Sequence, residues 1–496
     1  MNLASAIDAH PADAPALVSR GEPTSYGELR SQVAGVRGAL AARGVTAGDR
    51  VAIVAGNNRF FVAAYLGVLG AGAVAVPLNP LSPPPELERE LTMVGARRAL
   101  VDDTSRPALG GEAAPAPAGV DVVASGDLGR GEPAPLVERA DDDLAVLLFT
   151  SGTAGLPRAA MLSHGNLRAN VDQIRAATAS DAGDAAAGPP VADDVALGVI
   201  PLFHIFGLNA VLGLLLTVGG TIVLVERFDP PATLSLIADN RITVVSGVPT
   251  MWRAWADLPP TGAGDANPMA SVRLGVSGAA PLDPDLRRAI AARYGVVLAE
   301  GYGLTEASPV VTIGAGHQAP DGSIGLPVPG LLVRLIDRFG DDALVGDPGE
   351  VWVKGPNVFA GYWNDPEATR AALTEDGWLR TGDLAVVDDD GFLWLVDRVK
   401  DVIIVSGFNV VPAEVEAVLV RHPDVSEAAV VSVPHPHTGE AIKAFVVPVA
   451  GAGVDEGALI DYASRHLARY KCPSVVTFVD ELPHGLAGKL LRRRLR

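Results

Sequence analysis

The apolar run Leu147-Leu148-Phe149 gives way to Thr150, Ser151, Gly152, Thr153, Ala154, Gly155, Leu156, Pro157 and Arg158. A strand emptying into small hydroxylated residues and glycines has the parts of an anion cradle. Gly152 and Gly155 let backbone N–H groups come close to a phosphate. Thr150, Ser151 and Thr153 add hydroxyl donors, and Arg158 adds positive charge. No Gly-Lys-Ser/Thr follows at the Walker spacing, so this is not a P-loop; taken alone, the same residues also make an ordinary Gly/Ser turn.

Elements able to position such groups are legible around them. Strand-like runs alternate with helical patterns through most of the chain, as in α/β folds. Residues 51–55 predict a strand, 60–69 a helix and 73–76 the next strand. Residues 195–225 carry no Asp, Glu, Lys or Arg and are long enough to span a bilayer. Pro201, His204, Asn209 and Gly219-Gly220 interrupt them, which predicts a buried loop, helix and strand instead, the strand at 221–225. Three stretches rich in Ala, Gly, Pro and Asp, 107–135, 176–193 and 259–268, predict surface loops. After about residue 330 short strands and tight turns take over, with a hairpin at Asp388-Asp389-Asp390-Gly391. A compact segment follows, with helices at 412–421 and 456–470 and strands at 428–433 and 444–448. A domain boundary is expected at 398–400, separating residues 1–397 from 398–496.

Composition sets the outer limits. A chain of 496 residues exceeds one ordinary core. Its 39 Lys and Arg against 58 Asp and Glu leave a charge of −19, which excludes the broad basic surface a nucleic-acid partner needs. Cys472 is the single cysteine, so no intramolecular disulfide can form and a reducing compartment, the cytoplasm, is expected. The first residues show no secretory-signal pattern. The apolar run Leu214-Leu215-Leu216 would permit peripheral lipid contact, but core packing is its expected use.

The loop at 150–158 resembles the phosphate-binding signature of the acyl-adenylate-forming superfamily, which includes acyl-CoA synthetases, luciferases and nonribosomal adenylation domains. Ala154 stands where that family usually has a second Thr, and Arg158-Ala159 where it has Lys-Gly. Further motifs follow in the family's order up to Lys489, so the resemblance covers nearly the whole chain. It implies an α/β fold: a large multi-subdomain N-terminal domain of mixed sheets and helices, plus a small mobile α+β C-terminal domain. Pro201-Leu202-Phe203-His204 resembles the segment whose His or aromatic residue lines the acid pocket. Ser277-Gly278-Ala279-Ala280-Pro281 resembles the turn that holds adenine. In Gly301-Tyr302-Gly303-Leu304-Thr305-Glu306 the resemblance gives Tyr302 and Gly303 to the adenine, Thr305 to the α-phosphate and Glu306 to Mg²⁺. Asp383 would hold the ribose, and Arg398 the ribose or phosphate. Lys400 would be the hinge, and Gly407 would leave room for the pantetheine arm. Lys489 would be the catalytic lysine, with Ala487 standing where the family often has Thr.

What the resemblance implies for function is an acid–thiol ligase using ATP, Mg²⁺ and coenzyme A. It makes an acyl-adenylate and then a thioester. The segments expected to line the acid pocket, 203–209, 276–279 and 301–303, are apolar and glycine-rich, which suits a medium- or long-chain fatty acid. His204 and Phe206 suit an aryl or arylpropenoate acid equally well, and a carrier-protein pantetheine is an alternative acceptor. No Asp stands beside Phe203 to anchor an amino-acid ammonium. A non-catalytic nucleotide-binding homologue is the alternative of a different class.

Overall fold

A computed structural model describes residues 1–105, 119–124, 132–150, 157–179, 188–259, 266–314, 319–398, 403–405, 408–410, 412–435, 439–467, 471–484 and 490–495. The chain divides into two compact units. The first comprises Met1–Gly278, Leu282–Leu332 and Val353–Leu379; the second comprises Ala279–Pro281, Val333–Trp352 and Arg380–Arg496.

The first unit is built on two sheets. In one, the strands Asp121–Ala124, Arg98–Val101, Arg50–Val54, Val74–Leu78 and Leu144–Thr150 run parallel in that order, and Arg158–Ser163 closes the edge antiparallel. Runs such as Val51 to Val54 are buried on both faces, as parallel strands covered by helices must be. The other sheet carries a parallel core of Leu298–Gly303, Leu274–Ser277, Val244–Gly247, Val195–Gly198, Thr221–Leu224 and Pro15–Ser19. Antiparallel strands flank it at both edges. Helices Pro230–Asp239, Pro249–Ala256 and Pro284–Tyr294 share a core with this sheet, in which Trp252 and Trp255 are fully buried and meet edge to face at 5.1 Å. The helix Pro284–Tyr294 shows why the sequence folds this way locally. Asp283 caps it by accepting from Asp285 N, Pro284 fits its first turn, and Gly295 ends it in the left-handed conformation at φ 72°.

The second unit contains most of a four-stranded sheet, Leu332–Ile336, Gly349–Lys354, Leu379–Val387 and Leu393–Arg398. It also contains a five-stranded sheet of Phe408–Val410, Ile403–Val405, Gly439–Pro448, Val425–His435 and Val475–Phe478. Helices Pro412–Val420 and Glu456–Ser464 share the core of the five-stranded sheet.

Most predicted elements are present, including the 388–391 hairpin, where Asp388 N donates to Phe392 O at 3.1 Å. Three expectations need correction, and the core packing expected of residues 214–216 is present. Residues 195–225 begin with a strand, Val195–Gly198, because both its faces are covered, and the helix that follows is a π-helix, Phe206–Gly213. Leu214, Leu215 and Leu216 are buried, so they pack inside the unit and offer nothing to a lipid. The predicted loop at 107–135 contains the strand Asp121–Ala124, and the helix His164–Ala179 runs into the predicted loop at 176–193. The helix expected at 456–470 ends at Ser464, with Arg465 closing its last turn. No helix among the described residues is long and apolar enough to cross a membrane.

His164 supplies a pH-dependent element of stability. It is fully buried, its Nδ1 accepts Leu3 N at 3.1 Å, and burial pushes its pKa down to about 4, with Arg139 and the amino terminus adding to the shift. The folded form keeps it neutral while the unfolded chain binds a proton below its ordinary pKa. Stability is therefore lost as pH falls from about 6.5 to about 4, by at most ~3 kcal/mol. Glu90 and Glu300, both pushed up to about 7 by burial, act in the opposite sense over an overlapping range. The contribution of His164 is thus read from a difference. Thermal melts of wild type and His164→Gln are expected to converge as pH drops from 7.5 to 5, and a constant gap would refute the assignment.

Candidate active site

Three predicted segments leave the carboxyl ends of neighbouring parallel strands. Val195–Gly198 leads to Pro201 and His204, Leu274–Ser277 leads to Gly278, and Leu298–Gly303 leads to Thr305 and Glu306. These strands, with Val244–Gly247 between the first two, lie side by side in one parallel register. The crevice beyond the carboxyl ends of an α/β sheet is where such folds bind ligands.

Gly303 and Gly278 show what close approach the site demands. A Cβ on Gly303 would lie 2.2 Å from Pro309 O, because the strand bulges there against Val310–Ile313 and Leu304 N donates to Pro309 O. A Cβ on Gly278 would lie 3.3 Å from the ring of Phe206, so glycine lets the aromatic residue that opens the π-helix lie against the turn. Ser277 is fully buried, and its hydroxyl has no partner among the described residues. Ala279 adopts φ 69°, in the left-handed region, and Ala280 follows it in the same turn. Tyr302 is buried in its strand, opposite Thr312. His204 is exposed, and its Nδ1 accepts Phe206 N at 3.3 Å.

Thr305 and Glu306 sit on a short 3₁₀ turn, Thr305–Ala307. The Glu306 carboxylate accepts the Tyr362 hydroxyl at 2.7 Å, and the Arg158 guanidinium lies over the Tyr362 ring, 5.6 Å from its centre. Arg158 also pairs with Asp365 at 3.2 Å. Burial and the neighbouring Glu306 raise the Tyr362 pKa, so the phenol stays a proton donor to the carboxylate. Tyr362 is held in place by backbone pairing with the strand Arg158–Ser163: Trp363 N donates to Ala159 O and Ala360 N to Met161 O. One phenol thus joins the cation of the predicted phosphate loop to the predicted metal carboxylate. Thr150 and Arg158 stand opposite each other where the two strands of that loop begin and end. Ser151, Gly152, Thr153 and Gly155 lie outside the described residues.

Sequence reasoning did not single out Tyr362 or Glu300. Glu300 precedes the Gly301-Tyr302-Gly303 run, its Oε1 accepts Leu282 N at 3.1 Å, and burial pushes its pKa up to about 7. It ties the strand of Tyr302 to the segment that follows the 277–281 turn. Both residues stand next to predicted motif residues in space, Tyr362 through a pairing between distant segments that no local pattern announces.

In the second unit, Asp383 is buried on Leu379–Val387 and lies opposite Arg398 across the hairpin. Thr381 Oγ1 accepts Asp383 N at 3.1 Å and donates to Val351 O at 2.7 Å, while Gly382 N donates to Glu350 at 3.0 Å. Two of the predicted ribose-binding residues are therefore brought to facing positions. Lys400, Gly407 and Lys489 lie outside the described residues. Among the described residues on either side, His484 and Leu490 form a bridge and Leu491 N donates to Pro483 O at 2.8 Å. Arg492 pairs with Glu416 at 2.6 Å.

The AMP-binding enzyme family model matches residues 3–363, and the model of that family's C-terminal domain matches residues 414–489. The chain belongs to the AMP-binding family of adenylate-forming acid–CoA ligases. It is 39% identical to a feruloyl-CoA synthase of Amycolatopsis sp over 96% of this chain and 94% of that protein. It is 35% identical to a long-chain-fatty-acid–CoA ligase of Yersinia pestis over 98% of this chain and 92% of that one. Among solved structures, the O-succinylbenzoate coenzyme A synthetase of Bacillus subtilis in complex with ATP and magnesium ion superposes with a TM-score of 0.84 at 30% identity, covering 100% of this chain and 99% of that one. As a family member, the chain has its α/β architecture and ATP-dependent adenylating chemistry accounted for together. The donor set at Glu306 also fits a magnesium ion. One carboxylate oxygen takes the Tyr362 hydroxyl and the other has no partner among the described residues, as a hard cation completed by phosphates and water requires.

Proposed function

We propose that the chain activates an apolar carboxylic acid with ATP and transfers the acyl group to the thiol of coenzyme A. The observation that carries this reading is the Arg158–Tyr362–Glu306 linkage, which fixes a cation and a carboxylate beside the carboxyl ends of the strands bearing Ser277 and Tyr302. In the first half-reaction a substrate carboxylate oxygen attacks the α-phosphorus in line, the bond to pyrophosphate breaks, and acyl-AMP forms. Catalysis here is positioning and charge neutralisation. Residues 150–158 cradle the leaving pyrophosphate, Thr305 meets the α-phosphate, and Lys489 bridges carboxylate and α-phosphate. Magnesium, when bound at Glu306, supplies neutralising charge to the phosphates. Tyr302, Gly303 and the 277–280 turn hold adenine, while Asp383 and Arg398 hold the ribose.

In the second half-reaction a thiolate attacks the acyl carbonyl and AMP leaves. We assign the change between half-reactions to a hinge at 398–400 between domains 1–397 and 398–496, which withdraws Lys489 and presents the face around Gly407. His204 lines the acid site. A medium- or long-chain fatty acid is the first reading of the acid. The Phe206 ring lying against Gly278 favours a second, a flat aromatic acid stacked on that ring. AMP release with octanoate, palmitate, 4-coumarate or ferulate, each with free coenzyme A or a pantetheinylated carrier protein, tests both. Acid- and coenzyme A-dependent AMP release is expected with at least one class. Release that needs the carrier protein, or none with any acid, would overturn the reading.

A further inference from the structure

The segment behind Thr305 and Glu306 is held by three buried asparagines from three separate parts of the chain. Asn357 donates to Ala307 O at 2.8 Å. Asn209 donates to Ser308 O at 2.7 Å. Asn170 donates to Val310 O at 2.8 Å and accepts Val310 N at 3.0 Å. Phe359 N adds a bond to Glu306 O at 2.9 Å. All three asparagines are at most 3% exposed, and Ser308, which they surround, sits at φ 69°, a conformation that a side-chain-bearing residue keeps only when its surroundings hold it. Each buried amide donates to a backbone carbonyl at or within two residues of Ser308, so the loop's shape depends on them.

Asn209 differs from the other two in where it stands. It lies on the π-helix Phe206–Gly213, one turn from Phe206, and its second amide hydrogen goes to Leu167 O at 3.0 Å. The π geometry has a local cause: Leu214 N reaches back five residues to Asn209 O, and Gly213 leaves room for the Asn209 side chain, since a Cβ there would lie 2.7 Å from Asn209 Oδ1. One side chain therefore spans from the helix beside the acid site to the loop bearing Thr305 and Glu306.

We infer that Asn209 is a positioning residue that sets the acid-site helix and the Thr305–Glu306 loop in one register, so that carboxylate and α-phosphorus meet in line. This rests on the acid-activating reading above. Its buried amide is spent on Ser308 O and Leu167 O, so it acts through the segments it joins. An in-line displacement loses rate steeply when its two reactants are held an ångström out of place, so Asn209 matters to the first half-reaction and not to thioester formation from an adenylate already made.

Asn209→Ala separates the two. Acid-dependent exchange of labelled pyrophosphate into ATP is expected to lose ~10- to 100-fold in kcat, with the KM for ATP within about threefold of wild type. Thioester formation from supplied acyl-AMP is expected to stay within about threefold as well. A merely structural role would lower both half-reactions together, and that result overturns the inference, as does unchanged exchange. Should the alanine variant be insoluble, Asn209→Ser, which keeps a hydroxyl on the same turn, carries the same comparison. Wild-type protein inert in exchange with every acid would overturn the reading of function and this inference with it; an active wild type with an equally active variant overturns the inference alone.

Discussion

Lys489→Ala is expected to lower adenylate formation by ~10²- to 10³-fold while leaving thioester formation from supplied acyl-AMP within a few-fold of wild type. The carboxylate and the triphosphate are both anionic, and their approach concentrates negative charge at the α-phosphorus. A single ammonium placed between them stabilises that arrangement most in the transition state, where removal of one such donor typically costs ~3–4 kcal/mol. On either side of residues 485–489, His484 pairs with Leu490, Leu491 bonds back to Pro483, and Arg492 is anchored on Glu416. Pre-steady-state quench with labelled ATP measures the first step and acyl-AMP consumption the second. Equal losses in both would place Lys489 in general folding of the domain, and an unchanged first step would remove it from the chemistry altogether.

The second large effect is at Glu306. Glu306→Gln keeps the shape and can still accept the Tyr362 hydroxyl, so the linkage to Arg158 survives and the fold is barely touched. What disappears is one negative charge and the anionic oxygen offered to a cation. The maximal rate of adenylation is expected to fall ~100-fold, and the magnesium concentration for half-maximal rate to rise ~10- to 100-fold, by analogy with loss of a metal-ligand interaction. Initial rates across a magnesium titration at saturating ATP distinguish this from a loss of ATP binding. An unchanged magnesium dependence would show that Glu306 serves the loop and not the ion.

Much of this arrangement was legible in sequence because its signals are local. The strands of the parallel sheets are short apolar runs, the hairpin at 388–391 is written in Asp and Gly, and the glycine-flanked Tyr302 and the Thr305-Glu306 pair announce a tight turn with a carboxylate. The parts that were not legible depend on contacts across the chain. Tyr362 reaches Glu306 only because residues 360–363 pair with a strand some 200 positions earlier, and nothing near Gly361 in sequence says so. Asn170, Asn209 and Asn357 look like surface or capping residues by type. Their burial follows from carbonyls around Ser308 that need donors, a demand created by the loop's own backbone. The apolar pattern announces a buried helix before residues 221–225 but not its π geometry, because hydrophobic periodicity cannot report a single turn bonded one residue farther along. The leucines at 214–216 show the converse: an apolar run gives no sign of whether its neighbour is protein or lipid until the fold supplies one.

The central claim is that this chain makes an acyl-adenylate reversibly from an acid and ATP. Exchange of labelled pyrophosphate into ATP measures that step by itself. Label should enter ATP only when an apolar acid and magnesium are both present, without any need for coenzyme A. Label entering with no acid, or never entering with fatty or aromatic acids alike, contradicts it.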